Sequence, residues 1–245
     1  ATWTDGTHTS DTLRKTTDLK VSPNVESFQL ETAPGIYKNW EIGGDYEFNT
    51  DAGSRWKVLF ISNALERADT RERYDILSET SKEKNLFLDS WSNTKERIVR
   101  GSYTFDIFES QDIEIGAERA QTILDSKLAL GISGASGIPS PELGGLIPMP
   151  VNNANSTVEE MRYEPFLIHN WIISPRMSLE TSVLYEESKI IQRGDISKER
   201  DFDFVKPKLD FRYDVTPQLQ LRGTIEKIVE QLTFNDFVAA TDEQD

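Results

Sequence analysis

Trp40-Glu41-Ile42-Gly43-Gly44-Asp45-Tyr46-Glu47-Phe48-Asn49-Thr50-Asp51-Ala52-Gly53-Ser54-Arg55-Trp56-Lys57-Val58-Leu59-Phe60 is the stretch that decides the fold. On its first arm Trp40, Ile42, Gly44, Tyr46 and Phe48 are apolar or small, while Asn39, Glu41, Gly43, Asp45 and Glu47 are polar or small. A strand places successive side chains on opposite faces, so this period of two predicts a strand with one greasy and one wet side. Asn49-Thr50-Asp51-Ala52-Gly53 then supplies turn chemistry, because Asx residues and Gly tolerate the backbone angles of a reversal. Trp56, Val58 and Phe60 resume the alternation. The stretch predicts a β-hairpin.

Working outward, the device recurs three times. A segment over about 86–105 turns near Glu109-Ser110-Gln111-Asp112 and resumes with Ile113, Ile115 and Ala117. A strand over about 158–172 carries Met161, Tyr163, Leu167 and Trp171 on one face, turns at Ser174-Pro175-Arg176, and returns with Met177, Leu179, Thr181, Val183 and Tyr185. Val205, Pro207, Leu209, Phe211 and Tyr213 precede the turn Val215-Thr216-Pro217-Gln218, and Leu219, Leu221, Gly223 and Ile225 follow it. Four hairpins give an all-β, antiparallel, up-and-down order of about eight long strands. The first thirty-four residues, rich in Thr, Ser and Asp and without clear periodicity, are expected to be a polar irregular segment or loop. Longer connections are expected over 77–85, 130–156, 193–198 and the tail from about Asn235. Residues 131–150 hold five Gly, four Pro and one charge, Glu142, which predicts an extended loop outside any ladder.

Composition removes several classes. The 245 residues carry 27 Lys and Arg against 42 Asp and Glu, a net charge of −15, which opposes nucleic-acid binding. There is no Cys, so disulfides, thiolate metal sites and Cys nucleophiles are excluded. No run approaches eighteen apolar residues, as a membrane helix requires, and Ala1-Thr2-Trp3-Thr4-Asp5 shows no signal-peptide pattern. A transmembrane β-barrel passes these tests, since only every second residue faces lipid.

Three features favour the barrel. Arg55, Lys57, Glu114, Glu118, Glu180, Lys206, Lys208, Asp210, Arg212, Arg222 and Glu226 alternate with the apolar series, as a hydrated lumen requires. Phe48, Trp56, Phe105, Trp171 and Tyr213 fall on the apolar face beside the turns, as an interfacial girdle would. Strands of about 15–20 residues exceed the 9–11 that cross a bilayer, which predicts extension beyond it. The charged run Ala64-Leu65-Glu66-Arg67-Ala68-Asp69-Thr70-Arg71-Glu72-Arg73 is expected to form part of that extension.

Lys38-Asn39-Trp40-Glu41-Ile42-Gly43-Gly44-Asp45-Tyr46-Glu47-Phe48, Glu96-Arg97-Ile98-Val99-Arg100-Gly101-Ser102-Tyr103, and Leu219-Gln220-Leu221-Arg222-Gly223-Thr224-Ile225-Glu226 with Phe234-Asn235-Asp236-Phe237-Val238-Ala239 resemble barrel segments of TonB-dependent outer-membrane receptors. The resemblance runs from about Gly35 to the end, so 35–245 is expected to be a partial barrel. It implies a 22-stranded barrel in the outer membrane, filled by an N-terminal plug that the TonB complex pulls on. The implied activity is import of a scarce ligand such as a siderophore, cobalamin or an oligosaccharide. The departures are about eight strands, no plug or TonB box before the first strand, and the ending Ala240-Thr241-Asp242-Glu243-Gln244-Asp245 in place of an aromatic-terminated strand. An internal piece of a longer receptor reconciles them. The alternatives are a self-contained eight-stranded outer-membrane barrel acting as adhesin or structural protein, and a soluble carbohydrate-binding β-protein.

No catalytic chemistry is indicated. Glu159-Glu160 and Glu186-Glu187 are neighbours on a strand and so point to opposite faces. No Gly-x-Ser-x-Gly elbow, P-loop or Gly-x-Gly-x-x-Gly string exists, and Gly131-Ile132-Ser133-Gly134-Ala135-Ser136-Gly137 lacks the Lys of a phosphate loop. His8 and His169 lie far apart, and His169 beside Trp171 is expected to be an interfacial histidine. No Ca²⁺ loop pattern is present. The expectation is no catalytic residue, no metal site, no cofactor and no assignable ligand-binding residue. The expected contacts are outer-membrane lipid and an imported small molecule, with TonB coupling through a plug.

Overall fold

The computed structural model describes residues 1–20, 23, 25–134, 136–229 and 234. Nine strands follow one another as neighbours in a single antiparallel sheet: β1 (Thr2–Asp18), β2 (Val25–Asn49), β3 (Arg55–Ser78), β4 (Ser81–Phe108), β5 (Gln111–Ile132), β7 (Asn155–Ser174), β8 (Met177–Gly194), β9 (Lys198–Thr216) and β10 (Leu219–Glu226). A tenth, β6 (Ile147–Met149), pairs with β5 at Leu130–Ile132, beyond the point where β7 leaves it. Among the described residues β1 and β10 each pair on one side only, so the sheet is not closed.

The four turns read from sequence join β2–β3, β4–β5, β7–β8 and β9–β10 as expected. In the first, Thr50 and Ser54 exchange backbone and hydroxyl hydrogen bonds while Gly53 takes a φ of 86°.

Three expectations are corrected. The strands number ten rather than about eight: β1 and β6 are the two additions, and residues 2–18 and 25–34 are strand where an irregular segment was expected. β1 pairs only with 25–41 of β2 and is exposed along nearly its whole length. Exposed on both faces, it carries no alternation, and its seven threonines, β-branched and suited to strands, were the signal left. Second, 77–85 and 193–198 are not long loops: β3 and β4 meet across Glu79-Thr80, and β8 and β9 across 195–197. The strands run on instead, reaching 28 residues in β4. Third, 131–150 does enter the ladder, through β6. Pro148 is tolerated there because the strand is short and marginal, where an N–H is not needed. The rest of that connection turns through a short 3₁₀ segment, Pro141–Leu143, and buries Leu143 and Leu146. The ending 240–245 and the string 235–239 lie outside the described residues.

Register shows that the apolar series of all strands share one face. Phe48 pairs with Trp56, Trp56 with Tyr103, Tyr103 with Ile115, Ile115 with Leu167, Leu167 with Val183, and Val183 with Pro207. Among the described residues no second layer covers it: Trp56 is 52% exposed, Leu167 45%, Val183 47% and Leu221 54%. A soluble sandwich would bury such a face against another sheet. The residues that are buried, among them Ala120, Leu124, Val158, Phe166, Glu186 and Ile190, lie on the opposite face.

Candidate functional site: the two faces of the sheet

The apolar band has a constant height. On β2, β7, β8 and β9 it spans 40–48, 163–171, 177–185 and 205–213, nine residues each. Nine residues at ~3.3 Å make about 30 Å along a strand. A tilt of about 40° reduces that to roughly 23 Å, the height of the lipid-facing band of outer-membrane barrels. Aromatics mark both limits: Phe48, Trp56, Trp171 and Tyr213 near the turns, and Trp40, Tyr163 and Tyr185 at the far side. His169 sits on this face, as expected, with its Nε2 2.9 Å from Gln111 Oε1.

The opposite face within the band is charged. Glu47, Arg55, Lys57, Arg100, Ser102, Glu114 and Glu118 line an open groove of about 410 Å³. All these residues except Arg100 and Ser102 belong to the polar series read from sequence. From the groove a chain of ion pairs crosses the sheet. Glu118 Oε2 is 3.9 Å from Arg100 and its Oε1 is 3.5 Å from Arg162; Arg162 Nε is 3.7 Å from Glu164, and Lys206 Nζ is 3.6 Å from Glu164. Lys206 also donates to Glu186, whose side chain is fully buried. The Arg100 guanidinium lies 4.2 Å from the centre of the Phe166 ring. Gly116 makes this stacking possible: a Cβ there would stand 2.4 Å from Phe166 and 2.5 Å from the Gly101 carbonyl oxygen.

Above the band the same face changes character. Leu124, Val158 and Ile190 form an apolar cluster against which Phe202 and Phe234 pack. Beside it Ser188 donates to Glu160 at 2.6 Å. Glu159 is instead bound by Gln121 and Arg193, and Glu187 is exposed while Glu186 is buried. Both adjacent carboxylate pairs are therefore split between faces. The rim on β3–β4 is held by Glu72, which accepts from Lys84 at 2.6 Å and from the Tyr74 hydroxyl. These bonds hold the Glu72 carboxyl below its usual range and raise both Lys84 and Tyr74. His8 meets Asp69 at 3.1 Å, far from His169. Among the described residues no group of three or more His, Cys, Asp or Glu converges as a metal site.

No protein-family model and no curated protein sequence matches the chain. Among solved structures, the ferric citrate transporter FecA in its unliganded form superposes with a TM-score of 0.59 at 12% identity, over 91% of this chain. The sheet is built like part of the FecA barrel. FecA is a TonB-dependent outer-membrane receptor, so the resemblance drawn from the strand sequences holds at the level of fold. This chain spans 36% of the FecA chain. Sequence reading separated the two faces correctly and set Glu186 apart from Glu187, but missed Arg162 and Phe166, which look like ordinary strand residues until register brings them together.

Proposed function

We propose that this chain forms part of the wall of a TonB-dependent outer-membrane importer. Its apolar face meets lipid and its charged face lines the lumen. The observation that carries the reading is the nine-residue apolar band of β2, β7, β8 and β9, uncovered and bounded by aromatics at both heights, on a sheet built like part of the FecA barrel. Residues 35–245 hold the membrane-crossing part, and β1 adds height to the wall above it. Further strands pairing with β1 and β10 complete the barrel, since a sheet edge in lipid would leave its backbone groups unsatisfied. The ion-pair chain from Arg100 to Glu186 stiffens the wall and gives a plug and a passing ligand a hydrated, charged surface. The work done is transport, with no chemical step.

The test is depth-resolved fluorescence quenching of the full chain in vesicles containing brominated lipids. Trp56 and Trp171 are quenched strongly by lipids brominated near the headgroup end, whereas a protein soluble in buffer and unquenched by any of them overturns the proposal. The open edges at β1 and β10 favour this reading over a self-contained eight-stranded barrel.

A further inference from the structure

The outer face does not change from apolar to polar evenly at the top of the band. On β8 and β9 the next outward side chains are Glu187 and Asp203, whereas on β2, β4 and β5 they are Lys38, Arg97 and Arg119. Lys95 follows on β4, and Trp3 and Trp40, paired directly across β1–β2, stand beside these cations. Lys38, Lys95, Arg97 and the two tryptophans line a shallow groove of about 380 Å³.

Its carboxylates are occupied. Glu66 accepts the Trp91 indole N–H at 2.9 Å, and Asp125 lies 3.6 Å from Lys95. Among the described residues neither Lys38 nor Arg97 has a hydrogen bond or ion pair, and Arg119 reaches only the Tyr163 hydroxyl, at 3.5 Å. Both Lys38 and Arg97 are exposed. Unneutralised cations beside interfacial tryptophans, one step above a lipid-facing band, stand at the height where lipid phosphates lie.

Resting on the membrane reading above, we infer that this groove binds the phosphate of a lipid headgroup, with Lys38 and Arg97 as its charge partners and Trp3 and Trp40 flanking the adjoining acyl chain or sugar. Arg offers a planar fork suited to phosphate, and the partial desolvation of the groove strengthens the contact over that of a scattered surface charge. The acidic side at β8–β9 repels the same headgroup, so one sector of the wall gathers anionic lipid and another excludes it.

The full chain in phosphatidylcholine vesicles tests this, with spin-labelled phosphatidic acid and spin-labelled phosphatidylcholine as probes of lipid held at the protein surface. Each cation near such a surface favours an anionic lipid by about fivefold. Wild-type protein therefore restricts phosphatidic acid at least about fivefold over phosphatidylcholine. Lys38→Gln with Arg97→Gln brings that preference close to parity. Lys198→Gln with Arg200→Gln, which removes equal charge from the rim of β9, leaves it intact. A protein that enters the vesicles and restricts both lipids equally overturns the headgroup site while the barrel stands. A protein that restricts neither, because it does not enter, overturns the barrel reading and the site with it.

Discussion

Val183→Arg measures the central physical distinction, that one face of each hairpin is solvated by hydrocarbon. Val183 lies in the outward series between Leu167 and Pro207 and is 47% exposed, so the arginine meets no protein obstacle. The band on β8 runs over 177–185 and is centred on Thr181. Two residues at ~3.3 Å each, on a strand tilted about 40°, put Val183 about 5 Å from the midplane. Arginine on a barrel's lipid face costs ~2–4 kcal/mol at the midplane and ~0–1 near the interface. At this depth the cost is therefore about 2 kcal/mol, roughly a thirtyfold shift in the folding equilibrium. Ser182→Arg, one residue away on the charged face beside Lys208, changes stability within ~0.5 kcal/mol. Leu221 is only three residues beyond the β9–β10 turn, so Leu221→Arg falls in the interfacial range of ~0–1 kcal/mol. Guanidinium titration of the protein folded into vesicles reads all three. Equal losses at Val183 and Ser182, or none at Val183, would refute the assignment of faces.

Gly116→Ala forces Phe166 and the Gly101 carbonyl apart and costs about 1–3 kcal/mol by the same titration, as overpacking does. Lys206→Met leaves Glu186, fully buried, without its cation and costs about 3–5 kcal/mol; a loss under ~1 kcal/mol would show that the pair contributes little. Glu72 is held below its usual range, so its stabilisation of the β3–β4 tip is present above pH ~4.3 and fades as the solution is acidified through its lower folded value. Lys84 and Tyr74 are raised, so their contribution is present below pH ~10 and fades as pH climbs through their higher folded values. Hydrogen exchange of 70–88, corrected for intrinsic rates, shows protection constant between those limits, and Glu72→Gln removes the acid-side loss.

How much could be read from the residues follows from where the solvent changes. Between Trp40 and Phe48, or Met177 and Tyr185, one face meets apolar surroundings and the other water, so period two was legible and four turns were placed correctly. Along β1 and over 77–85 both faces are polar and exposed or half-buried, and no alternation marks the strand. That is why β1 read as irregular and why 77–85, with Lys82-Glu83-Lys84-Asn85, read as a loop. The inner charges were legible individually, but their partners were not. Arg162 and Glu118 are 44 positions apart in sequence, and only the β5–β7 register makes them neighbours. The outward cations were likewise invisible as a group, because Lys38 and Arg97 sit on different strands and share a groove only in the folded sheet.

The length of β4 sets a mechanical condition on the whole wall. About sixteen of its residues stand above the band, which at ~3.3 Å each and a 40° tilt makes a chimney roughly 40 Å tall. On the function proposed above, hydrocarbon squeezes the base of this chimney into shape, whereas its upper courses are mortared by contacts such as Lys84–Glu72 and Arg71–Glu31, at 2.6 and 3.4 Å. Brine dissolves that mortar and leaves the foundation untouched. The rim would then splay and recover with the tonicity of the medium, so that the width of the opening is set outside the membrane while its anchorage is not.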